Sequence, residues 1–199
     1  MTESFYAYCG LLASVWIVFG VFIAAKRYQG YNHAKQFCSE LGAVGSPTEK
    51  FSPLINNYPL GVLFCLFGYY LIASATHSIL LMAIGGLVIV HGLGTLVAGF
   101  FPMDADPYTK NPTTACKIHS WAGFIMLLSL YIAPILALFE SSFTLYFKLF
   151  SLACFLLSVY FTVTLAKAIK KQSNPGTHQR LGYGVQLFWL SGLSILVAQ

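Results

Sequence analysis

Six stretches of almost uninterrupted apolar residues alternate with polar segments along the 199 residues of the chain. Each stretch is close to the roughly 20 residues that an α-helix needs to cross a hydrocarbon core about 30 Å thick. The stretches are Phe5 to Ala25, Tyr58 to Ala75, Ile79 to Phe101, Ser120 to Phe139, Phe143 to Ala166 and Leu181 to Val197. This pattern predicts an all-α integral membrane protein, a single domain over residues 1–199 that forms a six-helix bundle.

The overall composition excludes a soluble globule. Hydrophobic residues make up 57% of the chain and charged residues only 9%, too few polar side chains to cover a soluble protein of this size. The formal net charge of +5 is spread between the apolar stretches and forms no single basic stripe, so nucleic acid is not an expected partner. The expected partners are membrane lipids, together with a second copy of the chain or another membrane protein.

The basic residues predict how the bundle is oriented. Of the 11 lysines and arginines, ten lie in alternate loops, and Lys148 is the one exception. The ten are Lys26, Arg27, Lys35, Lys50, Lys110, Lys117, Lys167, Lys170, Lys171 and Arg180. Because basic loops stay on the cytoplasmic side of a membrane, we expect both termini outside, the three longer loops in the cytoplasm, and a multi-pass location in the inner (cytoplasmic) membrane.

The first long loop contains a segment with helical spacing. Apolar residues recur between Tyr31 and Leu41 at the intervals of one helix face, which predicts a short helix lying on the membrane surface. The rest of the loop, as far as Pro59, contains several turn-forming residues. Two arrangements remain open for the loop: it folds back against the mouth of the bundle, or it is a solvated linker.

Small residues follow a seven-residue spacing in spans two and three. They are Gly61, Gly68 and Ala75 in span two, and Gly85, Gly92 and Gly99 in span three. Small residues allow two helix backbones to approach closely, which favours association in lipid because dispersion contacts replace the hydrophobic driving force there. Only three residues separate the two spans, so the pattern predicts a closely packed antiparallel hairpin. The small residues of span two should then contact those of span three, with either Ala83 or Gly85 as the first of them.

His91 is the ionisable residue placed deepest in the predicted membrane. It lies about ten residues before the end of span three, hence ~15 Å deep at 1.5 Å per residue. One interpretation is a neutral histidine that forms hydrogen bonds across helices, with Thr95, Ser74, Ser129 or Tyr131 as neighbours, and the other is a proton relay or ligand contact. A bis-histidine haem is not expected because His119 lies at another depth, and the sequence indicates no other cofactor.

Polar residues of all three long loops are predicted to emerge at the same face of the membrane. They are Glu40, Asp104, Asp106, His119, His178 and Arg180. All of them except Asp106, together with His91, form the candidate ligand-binding set. Asp104, Asp106 and His119 are also the candidate catalytic residues, because paired carboxylates and a histidine suit general acid–base chemistry or a divalent cation. The structural alternative is that they form turns and helix caps. We hypothesise that Asp104 and His119 form one hydrogen-bonded unit, with Arg180 near a lipid headgroup.

Several short motifs resemble one known family. They are Ser39-Glu40-Leu41-Gly42-Ala43, Asn57 with Gly61, Gly99-Phe100-Phe101-Pro102-Met103-Asp104, and His119 with Gly123. Together they resemble the bacterial membrane family called domain of unknown function 998. The resemblance implies a six-helix architecture and a role for Asp104 and His119, and it supplies no reaction.

Three classes of function follow from these observations. The first is a protein that binds or moves a lipid or another amphiphile in the helix bundle, with a polar site at the cytoplasmic face. The second is an intramembrane metal-dependent hydrolase or transferase that uses Asp104 and His119. The third is an accessory or sensory membrane subunit. We favour the first class, because the chain lacks the common enzyme motifs and a full set of metal ligands.

Overall fold

Seven α-helices and one 3-10 turn make up the computed structural model of the protein, which describes residues 2–199, with side chains from residue 5 onward. The helices are α1 (Thr2–Lys26), α2 (Phe51–Ile55), α3 (Asn57–Ser74), α4 (Ile79–Phe100), α5 (Thr114–Phe139), α6 (Leu145–Lys171) and α7 (Pro175–Val197), and the 3-10 turn is Cys38–Gly42. Six spans among the described residues are long and apolar enough to cross a membrane, and the second of them, Phe51–Ser74, joins α2 to α3. The prediction of an all-helical, six-span membrane protein is therefore confirmed.

Polar residues precede the starts of α4 to α7, and α5 and α7 begin before the apolar stretches that predicted them. Ser78, Thr113 and Thr144 precede α4, α5 and α6, and each hydroxyl accepts a hydrogen bond from the backbone N–H three residues later, at 3.0, 3.2 and 3.3 Å. Helix α7 begins with Pro175, whose missing N–H costs nothing at a helix start. His178 and Arg180 therefore lie in the first turns of α7, and their predicted place in a loop was wrong.

The six long helices pack in a closed ring in the order α1, α3, α4, α5, α6 and α7, with α7 returning to α1. Because neighbouring spans run in opposite directions, the three long loops share one end of the ring. We call this end the basic face, since its loops and the adjoining helix ends carry all the basic residues except Lys148. The other end, with residues 75–78 and 140–144, is the opposite face.

Helices α3 and α4 approach each other along their glycines, as predicted. A methyl group placed on Gly68 would lie 2.6 Å from the carbonyl oxygen of Gly85, and one on Gly92 would lie 2.8 Å from that of Gly61. Gly85 faces the carbonyl oxygen of Gly68 at 2.7 Å in the same way, whereas Gly99 packs against the side chain of Asn57. Since a real Cβ does not come this close to a backbone oxygen, these positions require glycine. The predicted hairpin is confirmed, although Ala75 lies just beyond the end of α3.

The first long loop folds back onto the bundle, and it contains no α-helix between Tyr31 and Leu41, so the predicted surface helix was wrong. Side chains in the loop bind the backbone groups that a helix would use. Asn32 Oδ1 accepts from the N–H groups of Ala34 and Lys35, and the Tyr31 hydroxyl donates to the carbonyl of Phe37. Of the two arrangements left open for the loop, the structure has the one that closes the mouth of the bundle.

A buried carboxylate ties two loops together at the opposite face. Glu140, only 2% exposed, accepts hydrogen bonds from the hydroxyl of Ser78 and from the backbone N–H and hydroxyl of Ser142. Burial alone would raise the pKa of Glu140, but these hydrogen bonds and the charge of Lys148 together lower it. Lys148, the one basic residue outside the basic face, is therefore close enough to stabilise a buried anion.

The orientation of the bundle stays a prediction. By the positive-inside rule, the basic face should lie in the cytoplasm and both termini outside it. We therefore expect reporter fusions at the two termini to be active only when the reporter works outside the cytoplasm. A single cysteine placed between residues 106 and 111, in a variant without the native cysteines, should then react with a membrane-impermeant thiol reagent only after the membrane is opened. A fusion showing a cytoplasmic N-terminus would overturn this orientation.

Candidate functional site

Arg180 is the centre of the polar contacts at the basic face. Its Nη1 donates to the carbonyl oxygens of His33, Gln36 and Gly176 at 2.5, 2.9 and 3.0 Å, and its Nη2 donates to the Tyr31 hydroxyl at 2.6 Å. Its Nε is buried and has no hydrogen-bond partner among the described residues. The guanidinium thus fastens the first loop to α7 while one of its N–H groups stays unused.

The backbone of α7 comes unusually close to the first loop just before Arg180. A methyl group on Gly176 would lie 2.1 Å from the carbonyl oxygen of Gln36 and 2.6 Å from that of His33. Thr177 donates its N–H to the carbonyl of Ala34 at 3.0 Å, which adds a backbone link at the same place. Glycine at position 176 is therefore what allows Arg180 to reach the loop carbonyls.

The positive charge of Arg180 has no carboxylate partner among its hydrogen bonds. Its four acceptors are three carbonyl oxygens and one hydroxyl. Glu40, the acidic residue of the same loop, binds the N–H of Phe37 at 2.7 Å and the side-chain amide of Gln36 at 3.1 Å instead. The pKa of His33 is lowered by its partial burial and by the charge of Arg180. The atoms that accept hydrogen bonds from Arg180 are thus all uncharged.

An apolar groove begins at Arg180 and runs between α6 and α7. It has a volume of about 340 Å³. Besides Arg180, its lining residues are Phe150, Ala153, Cys154 and Leu157 on α6, and Leu181, Gly184, Val185 and Phe188 on α7. From Arg180 to Phe188 the groove follows α7 for ~12 Å at 1.5 Å per residue, close to the ~15 Å of one leaflet of the hydrocarbon core. The charged group of Arg180 therefore belongs to one end of an otherwise apolar groove.

The two aspartates of the second loop cap local structure. Asp104 accepts from the N–H and the hydroxyl of Thr113 at 2.9 and 2.6 Å, and these hydrogen bonds lower the pKa of its carboxyl. Because Thr113 is itself the cap of α5, Asp104 supports the start of that helix. Asp106 accepts from the N–H of Tyr108 at 2.9 Å, which makes the predicted Asx turn.

His119 caps the end of the preceding helix. Its Nδ1 lies 3.0 Å from the carbonyl oxygen of Ala98 and 2.8 Å from that of Phe101. In a continued helix the carbonyl of Ala98 would accept from the N–H of residue 102, but residue 102 is proline and has none. Since both contacts are carbonyl acceptors, the proton belongs on Nδ1. His119 thus supplies the donor that Pro102 lacks.

The structure gives Asp104 and His119 separate hydrogen-bond partners, so the two do not form the predicted unit. Nδ1 of His178 is buried and unpaired in the described part of the chain. Across residues 2–199, no three His, Cys, Asp or Glu side chains are grouped so that they could hold a metal ion. The metal-dependent alternative therefore finds no ligand set in these residues.

His91 joins three helices in the middle of the bundle. It is 1% exposed, its Nδ1 lies 3.1 Å from the carbonyl oxygen of Met126 on α5, and its Nε2 lies 3.0 Å from the hydroxyl of Tyr183 on α7. The Met126 carbonyl can only accept, so Nδ1 carries the proton and Nε2 accepts from Tyr183. The neighbour Ser129 was predicted and lies at 3.4 Å, whereas Tyr183 was missed. This geometry is that of a neutral histidine bonded across helices.

The groove and the partners of Arg180 were also missed from the sequence. The small residues of α7 were the one indication in the sequence. Gly176 lies at the contact with the first loop, and Gly184 leaves open space in the lining of the groove. Nothing in the sequence connects Tyr31 with Arg180, because their contact depends on how the first loop folds back.

A family model matches the chain over residues 11–196, and it is described as a protein of unknown function, DUF998. The match confirms the resemblance that the short motifs indicated. No curated protein and no solved structure matches the chain.

Proposed function

The chain belongs to the DUF998 family of proteins of unknown function, and we propose that it binds one acyl chain of a membrane amphiphile in the groove between α6 and α7. The observation that carries this proposal is the groove itself, with Arg180 at its basic end and apolar side chains along the rest. Ligand sites in proteins combine such apolar walls with a few polar groups that fix the orientation of the ligand.

The dimensions of the groove support an occupant from one leaflet. Its length of ~12 Å along α7 suits a chain that enters from the basic face and reaches towards the bilayer midplane. The polar end of the amphiphile would then stand at Arg180. Because the positive-inside rule places the basic face in the cytoplasm, we propose that the amphiphile comes from the cytoplasmic leaflet of the inner membrane.

The groove offers a site where a larger side chain fits without disturbing the fold. A methyl group on Gly184 would meet no atom within 4 Å, so the first atoms of a larger side chain have space. Gly123, on the exposed surface of α5 and outside the groove, is equally open and provides a matched control. In both helices the replacement of glycine has a similar effect on helix propensity.

We expect Gly184→Trp to reduce the lipid that co-purifies with the protein about tenfold, the change that a loss of ~1.4 kcal/mol of binding free energy produces. Gly123→Trp should retain as much lipid as the parent protein. Native mass spectrometry of the purified proteins, with lipid extraction to identify the occupant, makes the measurement. Equal retention in all three proteins, or an equal loss in both variants, would contradict a ligand in this groove.

A further inference from the structure

We infer that the ligand of the groove carries an oxyanion, a carboxylate or a phosphate, that pairs with Arg180. This inference rests on the proposed function and names the chemical class of the ligand. It follows from three observations: which N–H groups of Arg180 are used, which charges surround it, and where it stands along α7.

The hydrogen bonds of Arg180 leave some of its N–H donors unused. A guanidinium has five N–H donors, and the two on Nη1 are occupied by three carbonyl oxygens. One donor of Nη2 serves Tyr31, which leaves the second Nη2–H and the Nε–H. The Nε–H, which is buried and has no partner among the described residues, is a donor that an oxygen of a carboxylate or phosphate can accept.

The charge of Arg180 also has no carboxylate among its hydrogen-bond partners. Its four partners are neutral, and the carboxylate of Glu40 is bound to Phe37 and Gln36. Other charged groups at the end of α6, Lys170 and Lys171, are positive as well. An unpaired charge is costly where water is scarce, and such charges in membrane proteins are normally paired. Arg180 is the one charged residue that lines the groove, and no acidic residue lines it.

The position of Arg180 makes the need for an anion greater. It lies five residues after Pro175, so it is ~7.5 Å inside the start of α7 at 1.5 Å per residue. From there the groove continues between apolar side chains such as Leu181 and Leu157. A free inorganic ion would have to leave water to reach this place, whereas the headgroup of an amphiphile is held there by its chain.

The test compares single-chain probes that differ only in their polar end. Radiolabelled dodecanoate is bound to the protein in digitonin, whose rigid body does not imitate an acyl chain, and is displaced by dodecyl phosphate, dodecanol or dodecyltrimethylammonium. We expect dodecanoate and dodecyl phosphate to compete at concentrations at least about tenfold lower than the other two. Stronger competition by dodecanoate than by dodecyl phosphate would indicate a fatty acid as the source of the oxyanion, and the reverse order would indicate a phospholipid. Inorganic phosphate should not compete.

Each outcome separates the inference from the proposed function. If dodecanol competes as well as dodecanoate, and Gly184→Trp weakens both, the groove binds chains without a preference for anions and the inference is wrong. If inorganic phosphate alone competes, the site binds a free ion and the inference is also wrong. If Gly184→Trp leaves dodecanoate binding unchanged, the proposed function itself fails. In Arg180→Gln, provided its cysteines stay as protected as in the parent, the preference for anions should disappear.

Discussion

Gly92→Leu is expected to lower the stability of the bundle by at least ~1–3 kcal/mol, the usual cost of overpacking a well-packed interface. The Cβ alone would lie 2.8 Å from the carbonyl oxygen of Gly61 and 3.0 Å from the backbone nitrogen of Cys65. These are backbone atoms, so no rotamer change relieves the contact, and α3 must move away from α4. The glycine contacts at positions 68 and 85 belong to the same interface and would loosen with it.

Gly86→Leu is the matched control, because Gly86 lies in the same helix and a methyl group there would meet no atom within 4 Å. Thermal unfolding in detergent can be followed with a thiol-reactive dye, since the buried cysteines Cys9, Cys116 and Cys154 become accessible when the bundle opens. We expect a clearly lower midpoint for Gly92→Leu than for the parent, and an equal or higher one for Gly86→Leu. Equal midpoints for the two variants would mean that the glycine stripe is not an interface.

The spans and the α3–α4 hairpin were predictable because lipid allows few solutions. A chain in a bilayer must satisfy its backbone within helices, so apolar length alone locates the spans. Close helix contact in lipid requires small side chains, so the spacing of Gly85, Gly92 and Gly99 identified the contact face before its partner was known. Both patterns, the length of each apolar stretch and the spacing of its small residues, lie within one short segment, and each has a single structural explanation.

The basic face was predicted less well because its chemistry depends on contacts between distant segments. Asp104 and His119 drew attention as acid and base, but each serves a helix end, and the missing N–H of Pro102 explains His119 without a reaction. Arg180 was expected beside a headgroup, yet its place within α7 was hidden because the first turns of that helix are polar. Its partners, Tyr31 and the loop carbonyls, lie nearly 150 residues away in sequence.

The same distinction explains His91. Its depth follows from counting residues along α4, and the expectation of a partner follows from the cost of a polar group in lipid. Which partner it finds depends on how α7 is rotated, and the hydroxyl of Tyr183 was therefore not foreseeable from α4 alone. The depth of a buried polar residue is thus a property of its own helix, whereas its hydrogen bonds are a property of the whole ring.

Glu140→Ala is expected to destabilise the opposite face by about 1.5–3 kcal/mol, the range for hydrogen bonds to a charged group. The carboxylate is 2% exposed and joins Ser78, the cap of α4, to Ser142 in the loop before α6, so its loss separates the two loops. Asp106→Ala is the control, because Asp106 is exposed and accepts one hydrogen bond within its own turn. Thermal midpoints at neutral pH should fall for Glu140→Ala and change little for Asp106→Ala.

The pH dependence of the same variant tests the charge of Glu140. Its pKa in the folded protein lies below its ordinary value of 4.5, because the hydrogen bonds from Ser78 and Ser142 and the charge of Lys148 outweigh the effect of burial. A lowered pKa contributes stability that is complete above the unfolded value and is lost as the pH falls through the folded value. The difference in midpoint between the parent and Glu140→Ala should therefore be constant above about pH 4.5 and narrow below it. A difference that stays constant down to pH 3 would mean that the ionised carboxylate does not hold the two loops together.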